Sequence, residues 1–183
     1  MLLYNDRGSK WIKYLKNRPN CRRLSKRGID GICKVMDKNR VKILFVCHGN
    51  ICRSPMAQYI FMKLADEAGV ANMFEVDSAA TSREEIGNPV YPPARRMLAA
   101  HGISRIDHRA RQMTMDDYRY FDHIIVMDAE NIWNARRMTG GDPEGKIEML
   151  LDRQIDDPWY TDEFQTAYED ILEGCTYLLE ELT

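Results

Sequence analysis

Residues 46–55, VCHGNICRSP, concentrate the residue types that could do chemistry. They include two cysteines, Cys47 and Cys52, together with His48 and Arg53. Such a set could bind a metal ion, form part of a core or carry out nucleophilic chemistry. A zinc site would need a second Cys/His pair at a suitable spacing, and none follows in the sequence. A structural cysteine at the end of a strand remains the plain alternative.

The elements around this stretch favour chemistry. VKILFV, at residues 41–46, is a short apolar run rich in β-branched residues, which predicts a buried strand. Ser54 and Pro55 then suit the N-cap and the first position of a helix. The apolar spacing that follows is amphipathic and ends at Gly69. The stretch therefore joins the carboxyl end of a strand to the N-terminus of a helix.

A loop in this position can bind an oxyanion. Its amides and the free N–H groups of the helix can point into one concavity. Cys47 would lie at the base of that concavity and Arg53 at its rim, where arginine can grip a phosphate in a bidentate manner. The same positive environment favours the thiolate form of a cysteine. A thiolate under a bound phosphate is placed to attack phosphorus.

The rest of the chain from residue 41 alternates strand and helix patterns. Strands are predicted at FEVDSA, HIIVMD and KIEMLL, and helices over Pro93 to His101, Ala129 to Met138 and Phe164 to Leu182. This alternation implies an α/β fold, a four-stranded parallel sheet with helices on both faces. The phosphate-binding loop follows its first strand.

The length of the chain and the distribution of its charged residues limit the possible domain organisation. The chain has 183 residues, 44% of them hydrophobic, which suits one buried core. Residues 1–40 carry 12 Lys/Arg against 3 Asp/Glu, and residues 41–183 carry 14 against 25. We therefore expect a basic N-terminal extension over 1–40, flexible or a misassigned start, and a catalytic domain over 41–183. No nucleic-acid partner is expected from the extension, because Lys/Arg clusters are usually just solvated.

The same composition predicts a cytoplasmic protein. No run approaches the roughly 20 apolar residues that a membrane span needs, and the N-terminus lacks a signal-peptide core. Five cysteines, an odd number, argue for reduced thiols rather than a disulfide framework.

DDPWY, at residues 156–160, follows the fourth predicted strand and therefore lies at the same edge of the sheet as the cysteine loop. Its carboxylates could approach a bound phosphate ester and protonate the leaving oxygen. Taken alone, however, an Asp-Pro pair is only a turn signal.

Together these residues resemble the low molecular weight protein tyrosine phosphatase family. VCHGNICRSP looks like its signature loop and DPWY like its acid loop, and the resemblance covers about Lys42 to Leu182. It implies hydrolysis of phosphotyrosine monoesters in proteins or peptides, through a cysteinyl-phosphate intermediate, with inorganic phosphate as product and with no metal or organic cofactor. By that resemblance Cys47 is the nucleophile, Arg53 binds phosphate, and Asp157, rather than Asp156, is the general acid.

The resemblance also implies supporting roles. The phosphate-binding loop would include His48, Gly49, Asn50, Ile51, Cys52 and Ser54. Ser78 in VDSAATS and His108 in DHRARQ match supporting positions behind the loop, and Trp159 and Tyr160 resemble one wall of the substrate slot. On the opposing wall, where the family often has an aromatic residue, this chain has Glu84 or Glu85.

Three alternatives remain open. A protein-arginine phosphatase of bacterial type is similar but has threonine where this chain has Ile51, and an apolar side chain suits an aryl phosphate better. An arsenate reductase would need further cysteines on a mobile segment, and downstream there is only Cys175, on an apolar helix face. A non-catalytic phosphate-binding module would not need Cys47, Arg53 and Asp157 together. The five-residue separation of Cys47 and Cys52 also suggests redox sensitivity through a protective disulfide.

Overall fold

The apolar run at the start of the predicted domain forms the central strand of the sheet. The computed structural model describes residues 40–183, which form one compact unit, so all but the last residue of the predicted basic extension lies outside the described residues. Strand β1 is Val41–Cys47. Ile43 and Phe45 belong to one hydrophobic cluster, whereas Leu44 and Val46 belong to another. Because side chains alternate across a strand, an uninterrupted apolar run marks a strand that is covered on both faces.

The sheet is four-stranded and parallel, as predicted. Strand β2 is Phe74–Ala80, β3 is His123–Val126 and β4 is Ile147–Met149, and their order is β2-β1-β3-β4. The chain adds β2 on one side of β1 and β3 on the other, which creates a switch in strand order beside β1. Ligands of open α/β sheets bind at such a point, outside the carboxyl ends of the strands.

Helices cover both faces of the sheet. In chain order they are α1 Arg53–Glu67, α2 Pro92–Ala100, α3 Met115–Tyr120, α4 Ala129–Thr139, α5 Pro158–Thr161 and α6 Phe164–Glu181, with a 3-10 turn at Ala71–Met73. Helices α1, α2 and α6 supply the larger cluster, and α3 and α4 supply the smaller one. Among residues 40–183, no helix combines the length and the apolar character that a membrane span requires.

One close contact anchors the segment between β4 and the acid loop. Gly174 of α6 lies against Leu150, so that a Cβ added at this glycine would be 2.5 Å from the Leu150 Cγ. Further along the segment Ile155 is completely buried, and its N–H donates to the carbonyl of Met127 at 2.9 Å. The residues that lead into the DDPWY loop are therefore fixed by packing and by the end of β3.

Helix α3 was not predicted. Its sequence signal is a capping box, in which the Thr114 hydroxyl accepts from the Asp117 N–H at 3.2 Å and the Asp117 carboxylate accepts from the Thr114 N–H at 2.7 Å. The element is short and largely polar, so a search for apolar periodicity passes over it.

Candidate active site

The loop of residues 47–53 curls around the sulfur of Cys47, which is almost completely buried. The backbone N–H of Asn50 donates to Cys47 Sγ at 3.3 Å, and the Ser54 hydroxyl lies 3.1 Å from the same sulfur. Asn50 has a φ of 57°, a left-handed conformation that asparagine tolerates, and this curls the loop back on itself. The Asn50 N–H and the Ser54 hydroxyl are thus two polar groups that contact the sulfur.

The prediction that Ser54 caps the following helix was wrong. Helix α1 begins at Arg53, its N-cap is Cys52, and no side chain caps it. The Ser54 hydroxyl instead faces Cys47 and accepts from Asn50 Nδ2 at 2.9 Å. Because the helix begins one residue earlier, Ser54 lies within its first turn and not at the N-cap position.

The guanidinium of Arg53 is held by three acceptors from two loops. Arg53 Nη1 donates to Asp128 Oδ2 at 2.6 Å and to the carbonyl of Ile155 at 2.9 Å, and Nη2 donates to Asp157 Oδ2 at 2.5 Å. The residue is 2% exposed. Burial acts to lower the pKa of Arg53, but the negative charges of Cys47, Asp157 and Asp128 outweigh it and raise the pKa. The cation is therefore permanent and fixed in orientation.

Arg53 retains N–H donors for a ligand, because its three bonds use only three of the five. Its Nε is buried and has no hydrogen-bond partner among the described residues. An unpaired buried donor is costly, and an oxyanion placed beside it would remove that cost. Together with the amides of the loop and the N-terminus of α1, this atom forms a cradle that fits a phosphate group.

Asp157 stands at the edge of the cradle. Its Oδ1 accepts from the Trp159 N–H at 3.1 Å, which caps α5, and its Oδ2 pairs with Arg53. Asp156 is exposed. Of the two neighbouring carboxylates, the structure therefore brings only Asp157 to the arginine.

The side of the loop away from Arg53 is supported by Asn50. The Asn50 Nδ2 group donates to the hydroxyl of Ser78 at 2.9 Å, and the Asn50 carbonyl lies 2.7 Å from His108 Nε2. Since a carbonyl only accepts, the His108 Nε2 carries the proton of this bond. Burial lowers the pKa of His108, in keeping with a neutral ring. Ser78 and His108 thus both lie behind the loop, in contact with Asn50.

Sequence reasoning missed Asp128, Arg111, Gln58 and Tyr91. Asp128 lies directly after β3, where the switch in strand order is, and that position was the available signal for it. The Arg111 N–H donates to Asn50 Oδ1 at 3.1 Å, and Gln58 Oε1 accepts from the Ser78 hydroxyl at 2.7 Å. No sequence motif marks these last two contacts, because they join loops and helices that are far apart along the chain.

The mouth of the site has an aromatic side and an acidic side. The ring of Trp159 packs on Tyr91 with 4.8 Å between centroids, whereas Tyr160 is 80% exposed. On the acidic side Glu84 Oε2 lies 3.1 Å from His48 Nε2, and the Glu84 side chain is 72% exposed. Cys47 and His48 therefore face different partners, and the two do not form the start of a zinc site.

The remaining acidic and loop positions are more enclosed. Glu85 accepts from Asn88 Nδ2 at 2.6 Å and lies over the backbone of Gly49, where an added Cβ would be 3.3 Å from the Glu85 Cγ. Ile51 and Cys52 are buried in the larger hydrophobic cluster. Burial raises the pKa of the Cys52 thiol, and the negative charge of Cys47 adds to the effect.

Known proteins of one family are similar in sequence to this chain. The family model described as low molecular weight phosphotyrosine protein phosphatase matches residues 42–183. The low molecular weight phosphotyrosine protein phosphatase of Gallus gallus is 43% identical over 148 residues, covering 75% of this chain and 93% of that protein. The low molecular weight protein-tyrosine-phosphatase YfkJ of Bacillus subtilis is 41% identical over 146 residues, covering 76% and 94%.

Solved structures share the fold. The crystal structure of YfkJ from Bacillus subtilis superposes with a TM-score of 0.75 at 39% identity, covering 78% of this chain and 94% of that one. The crystal structure of DARP, a Drosophila arginine phosphatase, superposes with a TM-score of 0.72 at 30% identity, covering 78% and 98%. The fold is therefore common to proteins named for two kinds of phosphorylated residue.

The contact between Asp128 and Arg53 makes a testable prediction. Asp128 uses one carboxylate oxygen for Arg53 and the other to accept from the Asn131 N–H at the start of α4. An amide offers only one acceptor, so Asp128→Asn cannot satisfy both donors. We expect this variant to bind inorganic phosphate about tenfold more weakly in calorimetric titration.

The matched control is Asp152→Asn, which removes an exposed carboxylate from the segment after β4. It should bind phosphate as the parent does. Unchanged phosphate affinity in Asp128→Asn would show that Asp128 does not hold Arg53 for the ligand.

Proposed function

Since the chain belongs to the low molecular weight phosphotyrosine protein phosphatase family and is a phosphoric monoester hydrolase, we propose that Cys47, Arg53 and Asp157 carry its chemistry. The observation that supports this best is the buried Nε of Arg53, which has no hydrogen-bond partner among residues 40–183. It lies in the same loop as the Cys47 sulfur, which accepts a hydrogen bond from the Asn50 N–H. The reaction is hydrolysis of a phosphotyrosine monoester in a protein or peptide.

The first step forms a bond between sulfur and phosphorus. The Cys47 thiolate attacks the phosphorus, and the bond between phosphorus and the tyrosine oxygen breaks. Arg53 and the amides of the loop hold the phosphoryl oxygens and stabilise the charge that they carry in the transition state. The products of this step are a cysteinyl phosphate and a phenol, whose oxygen receives a proton from Asp157.

Asp157 must leave Arg53 before it can act as this acid. In the ligand-free site it accepts a hydrogen bond from Arg53 Nη2 and is an anion beside a cation. A bound phosphate pairs with the Arg53 guanidinium in place of Asp157, and it brings negative charge close to the Asp157 carboxylate. Both changes release the Asp157 carboxyl group from Arg53, so that it can face the leaving oxygen. Substrate binding therefore prepares the acid.

The second step releases inorganic phosphate. Water attacks the cysteinyl phosphate, its proton passes to the Asp157 carboxylate, and the bond between sulfur and phosphorus breaks. The thiolate is restored, and the amide of Asn50 and the hydroxyl of Ser54 stabilise it as a leaving group. His48, Gly49, Ile51 and Cys52 complete the loop that encloses the phosphate.

The substrate preference that we propose is phosphotyrosine, with phosphoarginine as the second candidate. We retain phosphoarginine as the second candidate because the fold is similar to that of the arginine phosphatase DARP. Ile51 is apolar and buried, and Trp159 packs on Tyr91 at the mouth, and both features suit the ring of an aryl phosphate. Glu84, on the other side, suits a basic residue next to the phosphotyrosine.

We further propose that residues 41–183 form the catalytic domain and that the protein works in the cytoplasm. The family match to residues 42–183 supports the first proposal. The second rests on the chemistry, because a nucleophilic thiolate needs a reducing compartment to stay free of disulfides.

The proposed roles of Cys47 and Asp157 can be separated by leaving group. Cys47→Ser should not turn over para-nitrophenyl phosphate or phenyl phosphate. Asp157→Ala should lose about 10²- to 10³-fold in kcat on phenyl phosphate, whose leaving oxygen needs a proton, and much less on 2,4-dinitrophenyl phosphate. Steady-state kinetics on the substrate series checks this.

The neighbouring exposed carboxylate provides the control, since Asp156→Ala should match the parent on every substrate. Equal losses on good and poor leaving groups in Asp157→Ala would remove that residue from the acid role.

The substrate preference is tested with peptides of one sequence that carry either phosphotyrosine or phosphoarginine. The unmodified protein should hydrolyse the phosphotyrosine peptide with the higher kcat/KM. Among phosphotyrosine peptides it should prefer lysine over glutamate beside the modified residue, and Glu84→Gln should reduce that preference about two- to fivefold, as expected for an exposed charge pair.

In the same assays Glu180→Gln, an exposed change on α6, should leave the preference unaltered. Faster hydrolysis of the phosphoarginine peptide would reverse the assignment of substrate. A preference for lysine that persists in Glu84→Gln would show that this glutamate does not contact the peptide.

Cys52 gives a redox prediction. Burial raises the pKa of its thiol and the negative charge of Cys47 adds to the effect, and oxidation of Cys47 to a neutral sulfenic acid removes that added contribution. Cys52 can then resolve the sulfenic acid as a disulfide. Peroxide should inactivate the enzyme, dithiothreitol should restore it, and bound phosphate should protect it, as measured by para-nitrophenyl phosphate turnover.

Recovery should largely fail in Cys52→Ser, because the sulfenic acid proceeds to irreversible forms. Cys175→Ala, which changes a completely buried cysteine of α6, should recover like the parent. Full recovery in Cys52→Ser would mean that Cys52 is structural and that no protective disulfide forms.

A further inference from the structure

Four polar side chains form a connected chain behind the phosphate loop, from α1 through the edge strand β2 to the Cys47 sulfur. We call Gln58, Ser78, Asn50 and Ser54 the polar chain. Gln58 Oε1 accepts from the Ser78 hydroxyl at 2.7 Å, and Asn50 Nδ2 lies 2.9 Å from the hydroxyl oxygens of both Ser78 and Ser54. The Ser54 oxygen lies 3.1 Å from Cys47 Sγ.

Backbone groups fix the orientation of both amides in the polar chain. Gln58 contacts the carbonyl of Val76 at 3.4 Å, and because a carbonyl only accepts, the atom facing it must be the NH₂ group. Its oxygen is therefore turned toward Ser78. Asn50 contacts the backbone N–H of Arg111 at 3.1 Å, and because an N–H only donates, the atom facing it must be Oδ1. The NH₂ group of Asn50 is therefore turned toward the two hydroxyls.

These orientations determine where each hydroxyl proton goes. The Ser78 proton is donated to Gln58, so the Ser78 oxygen is free to accept from Asn50. The second amide hydrogen of Asn50 goes to the Ser54 oxygen. Ser54 cannot return its own proton to that NH₂ group, and it is left to donate to Cys47 Sγ at 3.1 Å or to the Ala79 carbonyl at 3.3 Å.

We propose that Gln58 is a positioning residue for the phosphatase reaction, which fixes the direction of the polar chain so that the Ser54 hydroxyl donates to the Cys47 thiolate. The proposal rests on the proposed function in one respect only, the role of Cys47 as nucleophile. Gln58 does not touch the sulfur and acts through Ser78 and Asn50.

The physical reason lies in what happens when Gln58 is lost. The buried Ser78 hydroxyl then has a proton without an acceptor, which is a costly arrangement. The Asn50 amide can relieve it by turning its oxygen toward Ser78 and Ser54, although this abandons the Arg111 N–H. The Ser54 proton would then go to Asn50, and the thiolate would lose a hydrogen bond.

The experiment measures how readily the thiolate forms. Iodoacetate alkylates thiolates, so the rate of modification of Cys47 is followed against pH by mass spectrometry of the peptide that contains it. Gln58→Met keeps the length of the side chain and removes both polar atoms. We expect the midpoint of the alkylation profile to move upward by about half a unit to one unit, the size of one weakened hydrogen bond to a charged group.

A double-mutant cycle separates a relay from a packing effect. In a Ser78→Ala background the polar chain is already cut, so Gln58→Met should cause no further shift. A loss of packing alone would lower the thermal unfolding temperature without moving the alkylation midpoint. Gln58→Leu is a second variant in case Gln58→Met does not fold, and Gln165→Met, at an exposed glutamine of α6, is the control that should leave the profile unchanged.

The outcomes are distinct. An unchanged midpoint in the Gln58 variants, or the same shift with and without Ser78, would overturn the relay. Absence of para-nitrophenyl phosphate turnover by the parent would instead overturn the proposed function, because the alkylation profile does not depend on turnover.

Discussion

The site depends on one buried cation. The guanidinium of Arg53 lies where the loops after β1, β3 and β4 meet. Asp128 and Asp157 contact the phosphate loop through this group. Desolvation of a charge is expensive, and removal of one partner from a buried pair typically costs about 3–5 kcal/mol. Here the cost is offset by two carboxylates, a carbonyl and the negative sulfur. The sheet topology supplies these partners, because parallel strands end at one edge.

The two halves of the loop are held in different ways, and the difference suits catalysis. On the Asn50 side the contacts end on backbone groups, the N–H of Arg111 and the carbonyl of Val76, which cannot exchange partners without disturbing the fold. On the Arg53 side two contacts, to Asp128 and to Asp157, are between side chains, and the Asp157 contact lies at the edge of the site. The support of the sulfur is therefore tied to the backbone, whereas Asp157 contacts Arg53 through its side chain alone and can move away.

Much of the fold and of the site could be predicted from the sequence, and what was missed shares a physical cause. The uninterrupted apolar run of β1 and the helical spacing of α1 and α6 are local signals, and they led to a parallel sheet with the cysteine loop at its carboxyl edge. Asp128 and Gln58 carry no comparable signal, since their roles come from contacts between segments that only the folded chain brings together. The error at Ser54 is similar, because its hydroxyl suits a helix cap until the curled loop offers it a sulfur.

Differences in burial also explain why residues at the mouth of the site can change while the contacts around Arg53 stay the same. Glu84 pairs with His48 at the mouth, but the glutamate side chain is 72% exposed, and pairs of this kind contribute about 0–1 kcal/mol. Such a contact can be exchanged without loss of the fold, and a small free energy is still enough to bias one peptide over another. The Arg53 guanidinium, 2% exposed, has less freedom, because loss of a carboxylate partner removes part of the compensation for burying its charge. An acidic residue at the mouth can therefore be present without a change in the buried contacts of Arg53, because Glu84 is exposed to solvent and Arg53 is not.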